Sequence, residues 1–90
     1  MTPLPLPGEE LVEKGLRDLE GSIETVEALL VSLAAPRLRA LGVRVSAPLA
    51  DPEERLYRRL TMEHGDGAHA RYNALVRRLV SYERAVACAS

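Results

Sequence analysis

Residues 12–33, VEKGLRDLEGSIETVEALLVSL, place apolar side chains at Val12, Leu16, Leu19, Ile23, Val26, Leu30 and Leu33. The intervals alternate four and three, the spacing of a helix that packs along one seam. Glu13, Glu20 and Glu27 recur beside that seam at a single flanking position. The pattern predicts one helix over residues 8–35, on the order of 40 Å long. Pro7 and the acids Glu9, Glu10 and Glu13 suit its positively polarised start. Pro36 stops it, because proline has no amide proton and its ring strikes the preceding turn. Gly15 and Gly21 lie inside, each costing about 1 kcal/mol relative to alanine, so packing along the seam must offset them.

Such a helix needs a partner, and residues 67–89 supply the same repeat at Ala68, Tyr72, Leu75, Leu79, Tyr82, Val86 and Ala89, widened by Val76 and Val80. Arg71 and Arg78 occupy the other flanking position of this second repeat. Opposite flanking positions face each other in parallel helix pairs, so glutamates on the first helix and arginines on the last favour a parallel arrangement. A shorter middle helix, residues 52–64, makes that possible. Asp51 is placed to cap it, Pro52 takes its first position, and Leu56, Tyr57 and Leu60 form its inner face. Gly65-Asp66-Gly67 allows only a tight connection, which sets the middle and last helices antiparallel. The expected fold is therefore all-α, an up-down-up three-helix bundle with two long amphipathic helices and a shorter one between them.

The remaining segments are connectors. Residues 1–8 form an extended leader with prolines at 3, 5 and 7. Residues 36–42 form a short helix, with proline first and glycine last. Residues 43–50 are a linker whose Val43, Arg44, Val45 and Ser46 alternate like a strand but have no second strand to pair with. Residues 9–90 make one helical domain.

Composition narrows the function. Ninety residues bury only about 60–65% of their unfolded surface, so a partner subunit would help stability. With three Tyr and no Phe or Trp, the core is leucine, valine and alanine, and there is no aromatic platform for stacking bases. The net charge of −1 creates no overall field toward nucleic acid or anionic lipid. The distribution is uneven, however: residues 1–36 balance at −5 and residues 37–90, with ten arginines, at +4. That segregation reads as complementarity within the chain or between subunits. Cys88 is the single cysteine, which excludes an internal disulfide and an all-cysteine metal site. No apolar run approaches the roughly 20 residues of a membrane span, and no secretory leader opens the chain, so a cytoplasmic protein is expected.

Few residues suggest chemistry. His64, Asp66 and His69 are metal-ligand types within six residues, but their spacing fits no ligand motif and the turn already accounts for the glycines and aspartate. Arg59 and His64, separated by Leu-Thr-Met-Glu, resemble the short catalytic pattern of HEPN-type ribonucleases over six residues. The resemblance implies an arginine steadying a scissile phosphate and a histidine moving protons. The polar residue that commonly follows that arginine is replaced by Leu60. The middle and last helices also carry Arg55, Arg58, Arg59, Arg71, Arg77, Arg78 and Arg84 and could be read as a helix-turn-helix, although the apolar repeat commits the same helix to packing. Serines lack partnered His and Asp, glycine-rich phosphate loops are missing, and no cofactor is implied.

The sequence thus reads as a small non-enzymatic interaction or oligomerisation module. The alternative is a nucleic-acid protein, binding DNA or cleaving RNA, that uses the arginine-rich C-terminal half. Leu11, Leu29, Val31, Val76 and Val80 lie off the strict seams and are the expected interface. The expected partner is a second copy, as a homodimer or larger assembly, or another helical protein.

Overall fold

A computed structural model describes residues 6–89 and is helical, with no strand among them. The elements are α1 (Glu9–Glu20), α2 (Val26–Leu33), α3 (Ala35–Ala40), α4 (Pro52–His64) and α5 (Ala68–Ala89), with one 3₁₀ turn at Gly65–Gly67 joining the last two. The expected leader lies, for residues 1–5, outside the described residues; Leu6 packs against the core.

The long first helix is not continuous. It breaks at residues 21–25, and α1 folds back on α2 as a hairpin, which corrects the expectation of one helix over 8–35. Four local features make the break. Gly21 donates its amide to the Arg17 carbonyl at 3.1 Å and ends α1, while Ser22 turns the chain at a left-handed φ of 57°. The Ile23 amide then bonds the Asp18 carbonyl at 2.8 Å. Thr25 starts α2 from an extended backbone, its hydroxyl accepting the Ala28 amide at 3.0 Å and donating to the Asp18 carboxylate at 2.6 Å. Capping of this kind satisfies a helix end that would otherwise have orphan donors.

Folding back changes which residues are core. Leu11, Leu29 and Val31, expected on a subunit interface, are buried within the chain together with Val12, Leu19, Ala28 and Leu30. They lie off the seam of a straight helix; in the folded hairpin Val31 packs against Gly15, and Leu11 lines the cleft beside α4 and α5. Conversely, the seam residue Ile23 is 53% exposed at the turn. Gly15 permits the close approach: a Cβ there would meet the Glu27 carbonyl oxygen and Val31 Cγ2, each at 2.5 Å.

The core is completed by Leu38 of α3, Val45 of the linker, Leu56 and Leu60 of α4, and Ala68, Leu75, Leu79 and Tyr82 of α5. The helix α4 packs between α2 and α5, whereas α1 touches α5 only sparingly. The three-helix, up-down-up form is thus replaced by a five-helix arrangement in which α1 has α2 as its main partner. The ion pairs differ accordingly. Arg78 reaches Glu10 rather than the flanking glutamates of the repeat, and Glu27 lies 3.6 Å from Lys14.

Two local expectations also change. Asp51 precedes α4 in a left-handed conformation and makes no side-chain cap; its carbonyl accepts the Arg55 amide instead. Tyr57 is exposed rather than inward, its ring 5.7 Å from that of Tyr72. The segment Val43–Ser46 forms no strand, and is tied by Arg39 donating to the Val45 carbonyl at 2.8 Å. Among the described residues, no helix is long and apolar enough to cross a membrane.

Candidate functional site

Two concavities stand out, one charged and one apolar. The charged cleft, about 340 Å³, opens where the start of α2 meets α4 and α5. From α4 it takes Arg59, Leu60, Glu63 and His64; from α5, Arg71, Leu75 and Arg78; and from the α2 start, Thr25, Val26 and Glu27. Helical spacing explains the grouping. Positions 71, 75 and 78 share one face of α5, as positions 59 and 63 share one face of α4.

Most of its charges are already engaged. Glu24, in the α1–α2 turn, receives hydrogen bonds from both Arg55 and Arg59, the latter at 3.3 Å. The Nε of Arg59 is buried and makes no hydrogen bond. Arg78 is held by Glu10, and His64 Nε2 lies 3.8 Å from the Glu63 carboxylate. Arg71 is exposed at the cleft. The structure therefore brings Arg59 and His64 to one cleft, but ties the arginine to a carboxylate that competes with any phosphate.

The metal-ligand types His64, Asp66 and His69 are not gathered into one group. Among the described residues, no three His, Cys, Asp or Glu side chains could hold a metal ion together. His69 Nδ1 lies 3.4 Å from the Tyr57 hydroxyl, whereas His64 sits beside Glu63. Cys88 is a free, exposed thiol.

The apolar groove, about 370 Å³, runs between α3 and the C-terminal half of α5. Ala40, Leu41, Val80 and Ala87 line it, with Arg37, Glu83 and Arg84 at its edges. Arg37 Nε donates to Glu83 at 2.7 Å and fixes one wall. Of the five expected interface residues, only Val80 lines this groove; Val76 is half-buried and packs on the core.

Against protein-family models, curated proteins and solved structures, the chain gives no match. The site must be read from its own chemistry.

Burial and hydrogen bonding shift four side chains. Asp18 is pulled below its usual range, first by the hydrogen bond from Lys14 and then by that from Thr25. Lys14 rises correspondingly, mainly through Asp18. Tyr72 and Tyr82 are raised by burial, with smaller contributions from Glu53 on the first and from Glu9 and Glu13 on the second. None of these four lines either concavity.

Sequence reasoning missed Glu24 and Thr25, which organise the cleft edge. A signal was present: Gly21-Ser22 followed by Thr25 is a helix stop and then a helix start within five residues.

Proposed function

We propose that the chain is a small non-enzymatic helical module of the cytoplasm that binds a partner helix, from a second copy or from another protein. The groove between α3 and α5 carries this reading. Its centre is apolar and its edges carry Arg37, Glu83 and Arg84, the distribution of a protein interface with a dry middle and a charged rim. The small side chains Ala40 and Ala87 leave room for the ridge of an amphipathic helix, the usual occupant of such a groove.

Replacing Val80 with Glu puts a charge on the groove floor while leaving the core leucines in place. Association, measured by light scattering for self-assembly and by co-purification from the native host for a second protein, is expected to fall at least tenfold. Unchanged association in Val80→Glu would remove the groove from consideration.

A second reading has its own observation: Arg59, His64, Arg71 and Arg78 line one cleft. Nucleic-acid phosphates would bind Arg71 first, since Glu24 and Glu10 hold Arg59 and Arg78. Labelled single-stranded RNA and duplex DNA, titrated at low salt, should then bind Arg71→Ala more weakly and with a shallower salt dependence. Equal binding by parent and variant, or none by either, counts against this reading.

A further inference from the structure

The groove between α3 and α5 has basic banks. Residues 34–50, which include α3, carry Arg37, Arg39 and Arg44 and no acid. On the other bank Arg84 is exposed and makes no ion pair among the described residues. Glu83 is the acid of the groove lining, but its side chain is only 11% exposed and already bound by Arg37, whose own side chain is 56% exposed. We infer that the groove takes an amphipathic helix of another protein whose apolar stripe is flanked by acids on both sides. This rests on the groove being the binding surface and adds the chemistry of its occupant.

Helical spacing sets the fit. Val80, Glu83, Arg84 and Ala87 fall at i, i+3, i+4 and i+7 along α5, so one face of that helix forms the groove floor and its bank. From Val80 to Ala87 the floor runs about 10 Å. An incoming helix meets it with apolar side chains at i, i+3 or i+4, and i+7, and the small Ala40 and Ala87 leave them space. Arg37 stands on α3 and Arg84 on α5, so acids on either side of the apolar stripe each meet a guanidinium. Such rim pairs select the partner and its orientation, while the apolar stripe supplies most of the affinity.

A second copy offers no such helix. Were α5 of one chain to lie in the groove of the other, its exposed Arg77 and Arg84 would approach Arg37 and Arg84 there, and opposed like charges disfavour that pairing. The exposed positions of α1 are Glu10, Glu13, Lys14, Arg17 and Glu20, with no apolar side chain for the floor. On α4 the exposed Tyr57 and Met62 are five residues apart, about 140° around the helix, and form no stripe.

Two labelled peptides of about 18 residues, long enough to form helix, test it against the full chain by fluorescence anisotropy at low salt. Both carry the same leucine stripe; the flanking residues are glutamate in one and lysine in the other. The glutamate peptide is expected to bind at least tenfold tighter, by a margin that shrinks at high salt. Arg84→Glu, an exposed change away from the core, should weaken that peptide at least fivefold and tighten the lysine one. Val80→Gln, which puts an uncharged polar group on the groove floor, should weaken both at least fivefold. Equal affinities, or a preference that Arg84→Glu leaves unchanged, would overturn the acidic occupant, and sensitivity to Val80→Gln would still keep the groove. A parent dimer in light scattering that Val80→Glu dissociates would also keep the groove but make a second copy its occupant. Binding that Val80→Gln does not weaken, or no binding of either peptide, overturns the inference, and the groove then stands or falls with the association of Val80→Glu.

Discussion

The hydroxyl of Thr25 acts in two directions, donating to Asp18 and accepting from Ala28, and Lys14 approaches the same Asp18 oxygen at 2.7 Å. The cluster has a pH signature. Asp18 is held below its ordinary value of 3.8, so its contribution to stability is fully present above that value and is lost as pH falls through the folded-state pKa. Lys14 is raised above 10.5, so its contribution is present below that pH and is lost as pH rises through the folded-state pKa. The urea midpoint of the parent should therefore drop on acidification below about pH 4, and Asp18→Asn should flatten that decline. A parallel decline in both proteins would show that other carboxylates dominate. Gly15 gives a second test on the same hairpin. Alanine there gains about 1 kcal/mol of helix propensity, but its Cβ would press on the Glu27 carbonyl and on Val31, and overpacking of that kind costs about 1–3 kcal/mol. Backbone cannot move aside as a flexible side chain can. A net loss of about 1 kcal/mol in chemical denaturation is expected, and a gain would mean that α1 and α2 separate easily.

At the scale of elements, the α1–α2 turn is fastened to α4 by one carboxylate shared between two arginines. All three side chains are about one-third exposed, which limits the pairs to about 1 kcal/mol or less in total. Glu24→Gln should thus scarcely move the urea midpoint, yet it should speed amide exchange in residues 21–25, because the clasp restrains the turn more than it holds the fold. Unchanged exchange would leave the turn fastened by Thr25 and Asp18 alone. The same turn shows where the sequence was legible. Pro52, Gly65 and Gly67 mark the ends of α4 because proline and glycine act through their own backbones, and the all-α class follows from helical spacing throughout. The break at 21–25 was hidden because the apolar spacing continues across it, so periodicity and capping gave conflicting readings and packing decided. Leu11, Leu29 and Val31 look surplus on a straight helix and are core on a folded one. The cleft was only half legible for the same reason: Arg59 and His64 are close in sequence, but Glu24 reaches Arg59 only because the chain turns back.

Over the whole molecule, acidic and basic halves meet through Glu10–Arg78 and through Glu24 with Arg55 and Arg59, consistent with the segregation of charge along the chain. These pairs are partly exposed, screened by salt, and weak individually. The buried leucines are of a different order. Leu29, Leu30, Leu38, Leu56, Leu60 and Leu79 are fully buried, and truncating one such side chain to alanine costs about 2–5 kcal/mol through lost transfer energy and the cavity left behind. A domain of this size has a total stability of only about 5–13 kcal/mol. Leu60 and Met62 make the comparison on a single helix, the first fully buried and the second 83% exposed. Leu60→Ala should lower unfolding stability by about 2–5 kcal/mol and Met62→Ala by less than about 0.5 kcal/mol, both read from urea midpoints at constant slope. Glu10→Gln combined with Glu24→Gln, which removes the ion pairs joining the two halves, should cost less than Leu60→Ala alone even at low salt. If the double charge variant proved the more damaging, charge complementarity rather than the leucine core would be what holds α1, α4 and α5 together.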